Sequence, residues 1–241
     1  SSTTRTGSSK HAVARLADYE KTATDFFQQI TTLYNAYELA GLLPNYLEKG
    51  NSSLVYMVTH LMKVNVQPER FYLYDFDALF QWIETCKATP IVFAVSFALL
   101  DFATNNKTQK RFVIFETGGM KGRKKELTKT EFYTMIKEAF PNAEIRSEYG
   151  MTELSSQAYS NDQNQFETPP WMKVLPRIDN DPLSSAPYGK RAALNIIDLA
   201  NIHSCAFIAT DDLGIVYPNG SFEVLGRLDH SDIRGCSLLV V

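Results

Sequence analysis

At 241 residues, 44% of them hydrophobic and 12% aromatic, the chain can bury a sizeable core as one large α/β domain or two small ones. A net charge of −3 with both signs interspersed leaves no basic footprint for nucleic acid, and no apolar run approaches the ~18 residues of a membrane span. Three cysteines, Cys86, Cys205 and Cys236, with no C-x-x-C spacing argue against a disulfide framework or a zinc site and for a reducing, cytoplasmic compartment.

In chain order, "SSTTRTGSSKH" comes first, a Ser/Thr/Gly-rich loop with a lysine. It suits a grip on phosphates by hydroxyls, backbone N–H groups and one ammonium, or else a flexible polar terminus. It reads as the middle of a loop, so residues are expected upstream of Ser1. Leu16 to Leu39 carries Leu16, Tyr19, Phe26, Phe27, Ile30, Leu33, Tyr34 and Tyr37 at near-helical spacing, which predicts one amphipathic helix. Ser52 and Ser53 are placed to cap a second helix through "LVYMVTHLMKV", and Asp75 or Asp77 a third through "ALFQWIETCKA". Cys86 ends that helix as packing.

The rhythm then changes. "PIVFAV" (Pro90 to Val95) predicts a short buried strand, followed by helical "FALLDFA". "RFVIF" (Arg111 to Phe115) predicts another strand, ending in "ETGGMKG", and the basic run Lys121 to Glu126 reads as a solvated turn. Thr128 and Glu131 make a capping box for the helix "EFYTMIKEAF", and "AEIRSEYG" is a third strand. Apolar strands alternating with helices predict a parallel sheet covered on both faces, whose ligands bind beyond the carboxyl ends of the strands. "FETGG" and "SEYGMTE" both lie at such ends.

After Phe166, "FETPPW" and "RIDNDPLSSAPYG" read as loops around a strand at "WMKVL". Residues 192–241 read as separate strands, "ALNIIDL", "CAFIAT", "GIVY", "SFEVLG" and "SLLVV", with a hairpin turn at Pro218-Asn219-Gly220. The division expected is an α/β nucleotide-binding core over 1–170 and a β-rich part over 171–241. Alternation puts Cys205 and Phe207 on one strand face and favours core packing for Cys205 over pairing with His203. Phe93 to Leu100 with Met151 either line an acyl channel or are core.

Four weak motifs occur in one order: the hydroxyl-rich loop Ser1 to Lys10, "YGMTE" (Tyr149 to Glu153), "TDD" (Thr210 to Asp212) and "GRLDHSDIRG" (Gly226 to Gly235). Together they resemble the adenylate-forming superfamily, which runs phosphate loop, Tyr-Gly-x-Thr-Glu, Thr-Gly-Asp, then Gly-Arg-x-Asp-Asp with a hinge. Within it, "LLPNYLEKGNSSLVYMV", "SFALLDFA", "ETGGMKGRKKE", "SEYGMTELSSQAYS" and "IRGC" look most like the acyl-protein synthetase family, with the phenylacetate–CoA ligases as more distant cousins.

The resemblance implies an α/β adenylate-forming large-domain fold with parallel and mixed sheets. It implies activation of a carboxylic acid, of the fatty-acid type, by ATP and Mg²⁺, then acyl transfer to a protein thiol. It places adenine on Tyr149 with close backbone approach at Gly118 and Gly119, the α-phosphate on Thr152, and Mg²⁺ on Glu153. Both ribose hydroxyls fall to Asp212 and the ribose or phosphate side to Arg227. The β- and γ-phosphates fall to Ser2, Thr3, Thr4, Thr6 and Lys10. Cys236 near the C-terminus stands where acyl-protein synthetases keep an acyl-accepting thiol, with Arg234 close enough to favour a thiolate; a small buried hydrophobe is the other reading.

The departures are specific. The loop lacks its first glycine, Arg5 stands in the region of the second, and Asp211 replaces the glycine of Thr-Gly-Asp. The sequence stops at Val241 just past the hinge-like stretch, so no lid domain with its catalytic lysine is expected. Two alternatives therefore stay open: a CoA ligase of the phenylacetate type, and a nucleotide- or acyl-binding module without catalysis.

Overall fold

Local capping decides where three of the helices begin in the computed structural model, which describes residues 11–48, 50, 52–118, 127–161, 164–179 and 181–228. Ser52 accepts a hydrogen bond from the Val55 N–H to start α3 (Ser53–Val64), and Asp75 accepts from Ala78 to start α4 (Phe76–Thr85). Thr128 and Glu131 close a reciprocal capping box on α6 (Lys129–Ala139). The remaining helices are α1 (Leu16–Thr31), the short α2 (Pro44–Glu48), α5 (Ser96–Asn105) and a 3₁₀ turn at Leu199–Asn201.

Strands β1 (Tyr37–Leu42), β2 (Thr89–Val95), β3 (Val113–Thr117) and β4 (Glu144–Tyr149) pair in parallel and in sequence order. Two groups of rings pack around these strands. Phe93 and Phe115 meet Phe27 of α1, with ring centroids 5.2 to 5.6 Å apart. Phe140, at the end of α6, packs against Phe102 of α5 and against Phe112, just before β3, at 5.2 and 5.3 Å. Phe27 is fully buried, and burial of such a side chain is worth about 2–3 kcal/mol.

From β4 onward the pairing turns antiparallel. The added strands are β5 (Ala158–Ser160), β6 (Phe166–Glu167), β7 (Met172–Ile178), β8 (Asp181–Ser185), β9 (Arg191–Asp198), β10 (Phe207–Val216) and β11 (Phe222–Arg227). Among the described residues they form one sheet, ordered β1-β2-β3-β4-β5-β6-β11-β10-β9-β7-β8. A second apolar cluster, including Leu154, Phe166, Leu194, Ile196 and Phe222, lies under this half. No described helix is long and apolar enough to cross a membrane.

Four expectations change. The helix predicted over Leu16 to Leu39 ends at Thr31, and Tyr37 onward is β1. Its outer edge is satisfied by Gln67, whose side chain accepts from the Leu39 N–H at 2.7 Å and donates to the Tyr37 carbonyl at 2.8 Å. The supposed loops either side of "WMKVL" contain β6 and β8. "CAFIAT" and "GIVY" are not two strands, because Phe207 to Val216 runs as one. Finally, Cys205 precedes that strand and is exposed, as is Phe207 at 70%, so neither belongs to the core. The Pro218-Asn219-Gly220 turn stands as expected, closed by a 2.8 Å bond from the Tyr217 N–H to the Ser221 carbonyl. "SLLVV" lies outside the described residues.

Candidate functional site

Strand β4 ends in Tyr149-Gly150 where the sheet passes from parallel to antiparallel. A Cβ on Gly150 would stand against the end of the Glu148 side chain, so the carboxylate would have to shift to admit one. The chain then turns through Thr152 and Glu153, both half-buried, before β5.

Strand β10 reaches this point from the other half. Its register with β9 slips between Ala209 and Leu213, across the Thr210-Asp211-Asp212 motif. Such a bulge re-aims side chains. Arg177, buried, donates from Nη2 to the Thr210 carbonyl at 2.7 Å, while Thr210 Oγ1 accepts from the Asp212 N–H at 3.1 Å. Asp212 is thereby turned to accept the Tyr149 hydroxyl at 2.7 Å, across 63 residues of sequence. Arg227, opposite Asp212 in the β10–β11 ladder, places Nη1 3.0 Å from Asp212 Oδ1 and Nη2 3.6 Å from Asp211 Oδ2. The Tyr149 ring stands edge-on to Phe166 and Phe222.

Three motifs thus contribute one residue each to a single cluster, with Thr152 and Glu153 on the adjoining turn. Burial pushes the Asp212 carboxyl up, against the opposing pull of Arg227 and Tyr149, and the charges of Asp211 and Glu153 add to the rise. The carboxylate of Glu153 is therefore felt inside the cluster. A carboxylate has about four lone-pair sites, so Asp212 retains acceptor capacity beyond Tyr149 and Arg227.

The ends of β3 and β4 carry polar residues that motif reasoning missed. Ser96 Oγ of α5 lies within hydrogen-bond reach of both the Glu116 carboxylate and the Gly118 carbonyl and can donate its single proton to either. Glu116 also accepts from Ser147 at 3.1 Å. Burial pushes the Glu116 carboxyl up and the Lys129 ammonium down, although each charge opposes the shift of the other. Lys129 lies 5.6 Å from the Tyr133 ring centroid and 5.4 Å from that of Phe166, and it donates to Asn164. Gly118 has φ +69°, and its close neighbour is the Tyr46 hydroxyl, 3.1 Å from where a Cβ would stand.

Glu148 accepts from Thr117 Oγ1 at 2.7 Å, and its charge is felt by Tyr19 of α1 and Tyr159 of β5. Burial pushes its carboxyl from an ordinary 4.5 up to about 7, against the Thr117 hydrogen bond and with the Glu116 charge adding. Between those values the folded protein holds a proton that the unfolded chain releases. The contribution of Glu148 to stability is thus most favourable below the lower value and is lost as pH rises through the higher one. Wild-type protein should lose about 2 kcal/mol through this group between about pH 5 and about pH 8. Glu148→Gln should flatten that slope and raise the melting temperature at the alkaline end. Identical pH–stability profiles for the two proteins would show that Glu148 titrates normally.

Other expected residues fall elsewhere. Ser2, Thr3, Thr4, Thr6, Lys10, Gly119 and Cys236, with the run Lys121 to Glu126, lie outside the described residues. Phe93, Phe97, Leu99 and Leu100 are buried in the first core, and Cys86 is buried at the end of α4. Among the described residues no group of three or more His, Cys, Asp or Glu is arranged to hold a metal.

The family profile described as "Acyl-protein synthetase, LuxE" matches residues 88–241, more than half of the chain, including Tyr149, Thr152, Glu153, Asp212 and Arg227. The chain belongs to the LuxE acyl-protein synthetase family. A relative in Aliivibrio fischeri, the long-chain-fatty-acid–luciferin-component ligase, is 26% identical over 140 residues, covering 53% of this chain and 37% of that protein. Among solved structures, ATP-bound MatB from Rhodopseudomonas palustris superposes with a TM-score of 0.66 at 16% identity, covering 92% of this chain and 46% of that one. O-succinylbenzoate coenzyme A synthetase (MenE) from Bacillus subtilis, in complex with ATP and magnesium, gives 0.64 at 13% identity over 90% and 48%. At these identities the likeness establishes the fold, that of adenylate-forming enzymes. The LuxE-family chain described here spans less than half the length of these matches.

Proposed function

We propose that the protein activates a carboxylic acid of the fatty-acid type with ATP, forming an acyl-adenylate, and passes the acyl group to a protein thiol in a cytoplasmic setting. The observation that carries this is the meeting of Tyr149, Asp212 and Arg227 at the carboxyl end of the parallel strands in a LuxE-family chain. In this proposal residues 1–170 form the nucleotide-binding core and 171–241 the β-rich part that closes it.

Tyr149 presents its ring to adenine, held upright by Asp212 and by Phe166 and Phe222. Asp212 takes the ribose hydroxyls with its remaining lone pairs, and Arg227 the ribose or phosphate side. Gly118 and Gly119 border the base, Thr152 meets the α-phosphate, and Ser2, Thr3, Thr4, Thr6 and Lys10 take the β- and γ-phosphates. Catalysis is then positioning and charge neutralisation while the acid attacks the α-phosphorus and pyrophosphate leaves.

The donor set suits magnesium. Glu153 supplies a carboxylate and Thr152 a hydroxyl on the same half-buried turn, hard oxygen donors of the kind this ion takes when water and phosphate complete its shell. Bound there, the ion supplies compensation for phosphate charge.

Labelled fatty acid and ATP test the transfer. Cys236→Ser should still form acyl-adenylate, since that step needs no sulfur, and should lose the hydroxylamine-labile thioester on the protein, because serine without a dedicated base is a weak nucleophile. Full thioester labelling of this variant would remove Cys236 from the reaction, and label recovered on added CoA instead of protein would make the enzyme a CoA ligase.

A further inference from the structure

Asp198, the last residue of β9, has a fully buried carboxylate. Its Oδ2 accepts from the backbone N–H groups of Ser155 at 2.9 Å and Ser156 at 3.0 Å. Its Oδ1 accepts from Ser156 Oγ at 2.7 Å and the Ala200 N–H at 3.1 Å. Burying a charge is costly unless its lone pairs are met, and here four donors meet them. Three of those four belong to the segment that follows Glu153, more than forty residues away in sequence.

Asn201, three residues on, grips the same segment. Its Nδ2 donates to the Glu153 carbonyl at 2.7 Å and the Cys205 carbonyl at 2.9 Å, and its Oδ1 accepts from Ser155 Oγ at 3.2 Å. His11 Nε2 lies 3.1 Å from the same Oδ1. Trp171 completes the attachment, donating from Nε1 to Ser156 Oγ at 3.0 Å. Glu153, Ser155 and Ser156 are each tied to the far half of the sheet, although the segment forms no ladder of its own at these residues.

We propose that Asp198, assisted by Asn201, is the positioning residue of the Thr152–Glu153 turn: it fixes the backbone from which Glu153 meets the metal–nucleotide complex. The inference rests on the proposed nucleotide reading. A site must hold its oxygen donors to a fraction of an ångström, and a carboxylate accepting two consecutive N–H groups fixes both position and direction of the chain. An apolar side chain at Asp198 would fill the space without that direction.

Asp198→Asn keeps the shape but has a single acceptor oxygen, so one pair of donors faces an amide NH₂. Equilibrium binding of ATP, with and without magnesium, should show unchanged affinity in the absence of the ion. The tightening that magnesium brings to the wild-type protein should fall by about 10-fold, the usual scale for losing a partner that orients a metal ligand. If Asp198→Asn does not fold, Asn201→Ala, which frees only the Glu153 carbonyl and its neighbours, should show the same loss in smaller degree. Folded variants whose magnesium response equals that of wild type overturn the positioning role and leave the nucleotide reading intact. Absence of ATP binding by the wild-type protein overturns that reading and this inference with it.

Discussion

Asp212→Ala is expected to cost about 3 kcal/mol of folding stability and to raise the apparent KM for ATP at least tenfold, with a much smaller effect on the acid. The stability loss follows from what is left behind. Arg227 keeps only its longer contact to Asp211, the Tyr149 hydroxyl loses its 2.7 Å acceptor, and both groups sit mostly out of water. The KM effect follows from the proposed ribose contact, which is remote from the reacting carboxylate. Chemical denaturation and initial-rate kinetics on the same preparation separate the two. A variant that keeps its ATP KM while the KM for the acid collapses would place the nucleotide elsewhere.

Glu153→Gln should behave in the opposite way. The side chain is half-buried on a turn whose backbone is held by Asn201 and Asp198, so the amide isostere should fold with nearly unchanged stability. Removing the charge takes away compensation where the triphosphate requires it. The acid-activation rate should therefore fall about 100-fold, at the upper end for loss of a group that serves a metal ion. Unchanged pyrophosphate exchange by folded Glu153→Gln protein would remove the metal role from this residue.

What could be read from the sequence was what neighbours within a few residues decide. Ser52, Asp75 and the Thr128/Glu131 box cap their helices through bonds spanning three residues, β2 and β3 are short apolar runs with α5 between them, and β4 follows the capped α6. β1 was hidden because Tyr34 and Tyr37 continue the spacing of α1, whereas its strand state depends on β2 and on Gln67, 28 to 30 residues on. β6 and β8 hide in Pro- and Ser-rich stretches and exist only through partners such as Phe222 and Arg177.

The site divides in the same way. Tyr149, Asp212 and Arg227 stand out as motif residues, yet nothing local says that the first two share a hydrogen bond. Glu148 reads as an ordinary strand carboxylate, and only enclosure beside Thr117, Tyr19 and Tyr159 raises its carboxyl to about 7. Asp198 offers one faint signal, a carboxylate closing the apolar run "ALNII", but its function depends on Ser155 and Ser156 arriving from more than forty residues upstream.

Acid activation is tested most directly by exchange of labelled pyrophosphate into ATP by the protein, with and without fatty acid. Acid activation predicts exchange that requires both magnesium and the acid, and that Asp212→Ala and Glu153→Gln each impair. A folded protein that binds ATP and shows no acid-dependent exchange would contradict it and make the site a binding module.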